Sequence, residues 1–515
     1  MKITHLNSLM NFCNHFRSSR NLLNLSFYST TVRPRKPFNL DPLYCKISPM
    51  GDPKVSIVPV LDQWIEDGRN VDKAALLYMI KELRNFGRYT HALEISTWMS
   101  DKRYYPLNNR DVALRLDLIA KVNGIKQAEK YFNNVPRQLK GFEAYNAFLN
   151  CYVHAGLVEK AEAIMQQMKD LGFARSSLSY NVLLKLYYKT GNYEKMDIIL
   201  HEMEKKGIDP DKFTYGIQIS AYVANSDVKG IEEVLTRLEA DPAALDWSIY
   251  SIAANGYKKA GLVDKALLML KKSEERILSA EKKSIAFQCI LTQYAAIGKK
   301  DEVIRLWEVY KNQQNVYNKG YICVLASLLK FDDIESAEKI FEEWESKNLS
   351  YDIRIPNFLI AAFCRKGLLE KTETLFNRVI EKGGKADAKT WQYLATVYLH
   401  HNQMQMAVEA TKEEILLAES WWKPTKNFAT CLEYLKGKGD LDRAQEIIRL
   451  TADKGLVPAD TQERLLNYIK GGESNSEAPH EIFGYAVDGN EETSELLAED
   501  KDGGDSRSLL ETNAR

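Results

Sequence analysis

The residues that could carry catalytic or metal chemistry are scattered along this 515-residue chain. Its seven cysteines form no Cys-x-x-Cys pair, and no cysteine or histidine spacing matches a zinc site. His400 and His401 have no acidic or cysteine partner at ligand spacing. We therefore expect no metal site, and we expect the cysteines to be small buried or half-buried side chains in a reducing compartment.

The remaining motifs do not form an active site either. The segment Gly437-Lys438-Gly439 lacks the strand and the G-x-x-x-x-G-K-[ST] frame of a phosphate-binding loop. The acidic pair Asp332-Asp333 has no second carboxylate cluster with which to hold a metal. No H-x-E…P-C-x-x-C deaminase signature is present. The sequence thus predicts a noncatalytic protein without a cofactor or a small-molecule substrate.

Charge is unevenly distributed, although the formal net charge is zero. Residues 1–40 contain six bases and no acid, and residues 471–515 contain twelve acids and three bases. Of the 70 residues of each sign, 61 bases and 58 acids remain in 41–470, which is a charge of +3. Because this central part is nearly neutral, nucleic-acid binding has to be argued from other residues.

The two ends of the chain differ in composition from its centre. Residues 1–35 are rich in Arg and Ser and mix apolar with basic residues, which is typical of an organelle targeting peptide. We expect a location in the mitochondrial matrix, with the plastid as the alternative. Residues 36–54 are expected to be a linker, and the acidic, Gly/Ser-rich segment 471–515 a disordered tail. No run of 18 apolar residues predicts a membrane helix.

An internal repeat of about 35 residues organises the centre of the chain. Tyr145, Tyr180, Tyr215 and Tyr250 follow one another at steps of 35 residues, and later units begin at related positions. A glycine, or Asn402, stands eleven residues after most of these anchors, where it can end a first helix. An alanine five residues further on lets a second helix pack closely against the first.

Neither helix of such a unit can bury its apolar face alone, so neighbouring units must stack into an all-α solenoid. Apolar residues at helical spacing between Val158 and Met168 fit this arrangement. We count about eleven helix–turn–helix repeats, irregular in 55–142 and regular in 143–470. Anchors such as Tyr180 are expected to pack inside the array, and stacking on nucleic-acid bases is the alternative.

The best-formed unit starts with Tyr180-Asn181 and finishes with Pro210-Asp211. This pattern, with weaker copies at 145–176 and 356–387, resembles the pentatricopeptide repeat. Its 35-residue period fits that repeat better than the 34-residue tetratricopeptide repeat. The irregular N-terminal repeats also resemble those of short plant mitochondrial members. The resemblance implies a right-handed superhelix whose first helices bind single-stranded RNA, one base per repeat.

In that family, the residue after the anchor and the last residue of the repeat select the base. An Asn amide can donate and accept hydrogen bonds, which suits a pyrimidine edge. The pairs that match are Asn181/Asp211 and Asn357/Asp387, which resemble the uracil-preferring combination, and Asn146/Ser176, which resembles a cytosine-preferring one. The pairs that depart from the pattern are Gly216/Asp246, Ser251/Lys283, Gln288/Tyr317, Ile322/Asp352, Gln392/Pro424 and Ala429/Ala459.

Each of these residues also has a purely structural interpretation. Asn181 can be a polar residue near the start of a helix, and Asp211 can be a turn residue after Pro210. Lys283 and Lys319, near the start of their repeats, are candidates for phosphate contacts. Their alternative role is that of solvated surface lysines.

Two functions follow from these observations. The first is a noncatalytic, sequence-selective protein that binds single-stranded organellar RNA and acts in mitochondrial RNA processing, stability, editing or translation. The second is a protein-interaction scaffold associated with a mitochondrial ribonucleoprotein complex or ribosome, which the nearly neutral centre and the departing pairs favour. A positive groove along the array would favour RNA, whereas an apolar or mixed groove would favour a protein partner.

Overall fold

The structure is a computed structural model that describes residues 42–102, 105–239, 245–280, 283–347, 349–418, 422–471 and 478–484. Every regular element in these residues is a helix. The chain divides into two compact units, 1–240 and 241–515.

The first unit contains α1 (Pro42–Ile47), α2 (Val58–Glu66), α3 (Lys73–Asn85), α4 (Tyr89–Asp101), α5 (Asn109–Asn123), α6 (Ile125–Asn134), α7 (Phe142–His154), α8 (Val158–Asp170), α9 (Ser177–Thr190), α10 (Tyr193–Lys205), α11 (Lys212–Ala224) and α12 (Val228–Glu239). The second unit contains α13 (Trp247–Lys259), α14 (Val263–Glu275), α15 (Lys283–Ala296), α16 (Lys300–Gln313), α17 (Asn318–Leu329), α18 (Ile334–Ser346), α19 (Arg354–Arg365), α20 (Leu369–Glu381), α21 (Ala388–His400), α22 (Met404–Leu417), α23 (Lys426–Gly437), α24 (Leu441–Asp453), α25 (Ala459–Lys470) and α26 (Pro479–Ile482). Short 3₁₀ turns cover Arg137–Leu139 and Ile277–Ser279.

The helices pair in sequence order. In the described residues there are eleven pairs, from α3/α4 to α23/α24, after which α25 is single. Within each unit, the first helix of a regular pair contacts its own second helix and the first helix of the next pair. The predictions of an all-α solenoid and of about eleven repeats are therefore confirmed.

The turn between the two helices of a pair needs a residue with positive φ. Gly191 ends α9 with φ of +71°, and Asn402 adopts φ of +56° after α21, as predicted. Ser226 and Asp332 fill the same place in their own repeats, each with φ of +57°. A residue with a Cβ atom is strained in this region, so these two repeats keep the turn geometry without the residue that favours it.

Small and aromatic side chains fill the space between helices. Tyr180 and Tyr321 are fully buried, and their hydroxyls donate to Glu202 (3.1 Å) and Glu343 (2.9 Å) on the second helices of their repeats. These two anchors therefore pack inside the array, as predicted. The alanines expected to allow close helix packing are also fully buried; they are Ala161, Ala266, Ala337, Ala407 and Ala444.

The folded part begins inside the segment expected to be a linker. Helix α1 lies within 36–54, and its Leu43 and Ile47 are buried in one core with residues of α2, α3 and α4. At the other end, α26 lies within the segment expected to be a tail, and the Phe483 ring lies 5.9 Å from the buried Phe428 ring. Both apolar contacts place packed helices inside segments that composition assigns to a linker and to a tail.

Two expectations fall outside the described residues: the targeting segment 1–35 and the end of the acidic segment after 484. In the part of the chain that the structure describes, no helix is both long enough and apolar enough to cross a lipid bilayer.

Candidate nucleic-acid interface

The first predicted pair, Asn181 and Asp211, is joined across two successive first helices. Asn181 lies in α9, and its Nδ2 donates to Asp211 Oδ1 at 2.9 Å. The Asn181 Oδ1 accepts from the hydroxyl of Thr214 in α11 at 2.7 Å. Only 9% of Asn181 is exposed. The amide is therefore held on one side by the last residue of its own repeat, Asp211, and on the other side by Thr214 of the next repeat.

Asp211 has a structural role at the same time. It is the N-cap of α11, and its Oδ1 accepts from the backbone N–H groups of Phe213 and Thr214, both at 2.9 Å. Its Oδ2 accepts from the Ser177 hydroxyl at 2.7 Å. Burial acts to raise the pKa of Asp211, but the hydrogen bonds from Ser177, Thr214 and Asn181 outweigh it and lower that pKa. The carboxylate stays ionised and can only accept.

The second predicted pair repeats this arrangement in the other unit. Asn357 in α19 donates from Nδ2 to both oxygens of Asp387, at 3.2 and 3.4 Å. Its Oδ1 accepts from the Thr390 hydroxyl at 2.8 Å, and Asp387 caps α21. Asn357 is 8% exposed. The same four-group network, made of an amide, a carboxylate, a hydroxyl and a helix N-terminus, thus occurs twice.

The network fixes which way each amide faces. An ionised carboxylate has no proton to donate, so the atom of Asn181 that faces Asp211 must be the nitrogen. An amide has two N–H groups and two acceptor lone pairs, and each network uses one of each. One N–H group and one lone pair of each amide remain for a ligand, and their orientation is fixed. They can pair with a ligand that presents a hydrogen-bond acceptor next to a hydrogen-bond donor.

The third predicted pair is only partly assembled. Asn146 Oδ1 accepts from the Ser179 hydroxyl at 3.1 Å, so Ser179 takes the place that Thr214 has in the next repeat. Ser176 stands at the N-cap of α9, but its side chain makes no capping hydrogen bond. Among the described contacts, none joins Asn146 to Ser176. The acceptor side of this amide is held, and its donor side is not tied to a carboxylate.

Two of the residues at the departing positions, Ser251 and Asp352, make contacts inside the array. The Ser251 hydroxyl lies 3.1 Å from Cys289 Sγ and accepts from Gln293 at 2.5 Å. Asp352 is buried and accepts from its neighbour Arg354 through both oxygens. These side chains satisfy internal contacts, and the Ile322 side chain has no polar group with which to bind a base.

The two lysines proposed to contact phosphate lie at the starts of first helices. Lys283 is the first residue of α15 and is half-buried, and Lys319 is the second residue of α17 and is exposed. They do not occupy the same register, because Lys283 precedes its anchor Phe287 by four residues and Lys319 precedes Tyr321 by two. In the described residues, no group of three His, Cys, Asp or Glu side chains could hold a metal ion.

Sequence reasoning missed the hydroxyl that orients each amide. Thr214 and Thr390 each follow the capping aspartate by three residues, and each hydroxyl also accepts from that aspartate's backbone N–H, at 3.1 and 3.3 Å. An Asp-x-x-Thr spacing at a predicted helix start is the signature of such a capping box. That spacing could have identified both threonines, but not their contact with an amide 33 residues earlier.

Pairs of helices repeated along each unit, with polar networks that join successive first helices, define a helical-repeat protein. Models of the PPR repeat family match residues 142–185 and 175–224, and models of the PPR repeat match 248–276 and 356–384. The chain is also 44% identical over 433 residues to a mitochondrial pentatricopeptide repeat-containing protein of Arabidopsis thaliana, covering 84% of this chain and 88% of the relative. The chain belongs to the pentatricopeptide repeat family.

Two further proteins are similar to this chain. The large ribosomal subunit protein mL101 (rPPR4) of Arabidopsis thaliana is 40% identical over 477 residues, which cover 91% of this chain and 96% of that protein. The crystal structure of the pentatricopeptide repeat protein PPR10 from maize is similar in fold, with a TM-score of 0.49 and 18% identity. That match covers 80% of this chain and 62% of the maize chain.

Proposed function

We propose that this protein is a noncatalytic, sequence-selective binder of single-stranded RNA that acts on mitochondrial transcripts. The observation that carries the proposal is the twofold occurrence of an asparagine amide clamped between a capping aspartate and a threonine. An unstacked base exposes its edge to one repeat at a time. Uracil carries an N–H donor next to a carbonyl acceptor, and this pair is complementary to the remaining lone pair and N–H of Asn181 or Asn357.

The site residues of the proposal are the three asparagines with their partners. Asn181 and Asn357 are assigned to uracil, and Asn146 with Ser176 to cytosine. Lys283 and Lys319 are assigned to phosphate. The mitochondrial matrix is the proposed location, since several relatives of similar length carry mitochondrial names. RNA processing, stability, editing and translation are all steps that such binding could influence by holding one segment of a transcript.

The test is equilibrium binding of the purified full chain to fluorescent oligouridylate, oligocytidylate and oligoadenylate of equal length, and to a duplex that contains the same uridines. We expect the single-stranded pyrimidine oligonucleotides to bind more tightly than oligoadenylate and than the duplex. Equal affinity for all four ligands would contradict the assignment of the asparagines as the residues that select the base.

A second candidate function rests on a separate observation. The relative mL101, which matches nearly the full length of this chain, is named as a protein of the large ribosomal subunit. A role as a scaffold on a mitochondrial ribosome or other ribonucleoprotein complex would also explain the repeats whose reader pairs depart from the pattern. Gradient sedimentation of a mitochondrial extract separates the two: a scaffold sediments with the large subunit, whereas a transcript-specific binder sediments apart from it.

A further inference from the structure

A row of bases occurs at one register of four consecutive first helices. Lys319 in α17, Arg354 in α19, Lys389 in α21 and Lys426 in α23 each precede the anchor of their repeat by two residues. Each of these helices contacts the next within the second unit. We call these four side chains the basic column. These four residues are separated by 35, 35 and 37 positions in the sequence, but the stacking of the repeats brings them to one side of the array.

Side chains at this register come close enough to interact between neighbouring repeats. In the first unit, Arg110 and Glu143 stand at the same register of α5 and α7, and their charged groups lie 3.9 Å apart. The next two repeats carry Leu178 and Phe213 at this place. Only in the second unit does this register hold charges of the same sign in successive repeats. These positive side chains repel one another, and a bound anion would lower that repulsion.

The positive charge of the column is only partly neutralised by the protein. Arg354 pairs with Asp352 at 2.7 Å, and Asp387, which caps α21 in front of Lys389, is engaged in the Asn357 network. Lys319 is exposed, and Lys389 and Lys426 are half-buried. Among the described residues, these three lysines have no ion-pair partner. The sequence segments 317–319, 347–354, 381–389 and 418–426, which precede or begin these helices, contain eight bases and four acids.

The column runs beside the base-reading position. Arg354 and Asn357 are three residues apart on α19, so they share one face of that helix. Lys319, Lys389 and Lys426 have the same spacing to Ile322, Gln392 and Ala429, which are the reader positions of repeats that depart from the family pattern. A ligand bound at Asn357 therefore lies on the face of α19 that carries Arg354.

We infer that the basic column binds the phosphodiester backbone of RNA, independently of sequence, and that the repeats of the second unit without a reader pair act as a backbone clamp. This inference rests on the proposed RNA-binding function. It gives the nearly neutral chain a local source of affinity and explains how repeats with Ile322 or Ala429 at the reader position contribute to binding. A protein with few reader pairs then holds RNA by charge in one unit and selects it at a few positions.

The test combines three substitutions, Lys319→Gln, Lys389→Gln and Lys426→Gln, in the full chain. Arg354 is retained because its removal would leave the buried Asp352 without its partner. Affinity for oligoadenylate is measured as a function of salt concentration. Each lost phosphate contact on a single strand lowers the slope of log affinity against log salt by about 0.7, so the triple variant should lose about 2 from the slope of the parent.

A matched control carries Lys271→Gln, Lys339→Gln and Lys470→Gln, which change the net charge equally at exposed lysines outside the column. We expect the control to keep the parent slope. The inference is overturned if the triple variant keeps the parent slope, or if the control loses as much. It is also overturned if the triple variant binds RNA more tightly, the result expected if the acidic segment after 484 occupies the column.

The same variant separates this inference from the proposed function. If the preference for oligouridylate over oligoadenylate persists while the slope falls, both are supported. If the slope falls in a protein that shows no such preference, the column stands and the base-reader assignment fails. If neither oligonucleotide binds the parent protein, both fail.

Discussion

Replacing Asn181 and Asn357 together by alanine should weaken binding to oligouridylate strongly while leaving the protein folded. Each amide retains one N–H and one lone pair for a base, and a net hydrogen bond contributes about 0.5–1.5 kcal/mol. Two such bonds at each site are worth about 1–3 kcal/mol, and we take about 1.5 kcal/mol, in the lower half of this range. The two sites lie in separate units and share no hydrogen-bond partner, so their effects should add to about 3 kcal/mol.

A loss of about 3 kcal/mol corresponds to roughly a 150-fold rise in Kd. The fold should survive because Asp211 and Asp387 each keep other hydrogen-bond donors after the substitution. Asp211 still accepts from Ser177, Phe213 and Thr214, and Asp387 still accepts from the Thr390 backbone. Fluorescence anisotropy gives the affinity, and thermal unfolding followed by circular dichroism shows whether the helices remain.

The matched control is Asn427→Ala. Asn427 is also a buried asparagine on a first helix, and it donates to the Thr396 hydroxyl at 2.7 Å, but it precedes its anchor Phe428 instead of following it. Its loss should lower stability without changing RNA affinity. Unchanged affinity of the double variant for oligouridylate, or an equal loss in the control, would refute the reasoning that the clamped amides read bases.

Three further predictions concern the residues that support the site and the fold. The double variant Thr214→Val with Thr390→Val lacks the hydroxyls that orient the two amides. We expect it to bind oligouridylate roughly tenfold more weakly, since each site loses about 0.7 kcal/mol of binding free energy. Equal binding by this variant and by a Thr372→Val control would contradict the orienting role of the two hydroxyls. Burial raises the pKa of Glu414 to about 7, and its Oε1 accepts from Trp422 while its Oε2 has no partner in the described residues. Because the unfolded carboxyl releases its proton near the ordinary value of 4.5, stability should fall by roughly 3 kcal/mol as the pH rises from about 4.5 to 7, and Glu414→Gln should abolish this fall in thermal unfolding measured across that range. Ser226→Gly relieves a positive φ at an exposed turn and should raise the free energy of unfolding by about 1 kcal/mol, whereas a lower value would show that the turn is not strained.

The fold could be predicted because its determinants recur at a fixed period. Gly191 and Asn402 stand at the same place in their repeats, and residues with αL preference at that place end a helix whatever the neighbours are. Ser226 could not be assigned by residue preference, since serine does not favour the left-handed conformation that it adopts here, and Asp332 belongs to a residue type that tolerates this conformation less readily than glycine does. Helix α1 was missed because two buried side chains, Leu43 and Ile47, are too few to give a periodic pattern.

The candidate site was only partly predictable. The asparagine and aspartate pairs came from a resemblance, and the structure shows Asn181 and Asn357 hydrogen-bonded to their partners. The orienting role of Thr214 depends on a contact between residues 33 positions apart, which local patterns do not report. Of the basic column, only Lys319 was singled out from the sequence, because the other members are alike only in their position within repeats that are 35 or 37 residues apart.

Crosslinking of the tagged protein to RNA in isolated mitochondria, followed by sequencing of the bound fragments, tests the central claim most directly. We predict short, sharp footprints in single-stranded segments, with pyrimidines whose spacing follows the repeat order of Asn146, Asn181 and Asn357. A diffuse signal over ribosomal RNA, or no crosslinked RNA, would contradict sequence-selective binding and favour the scaffold function.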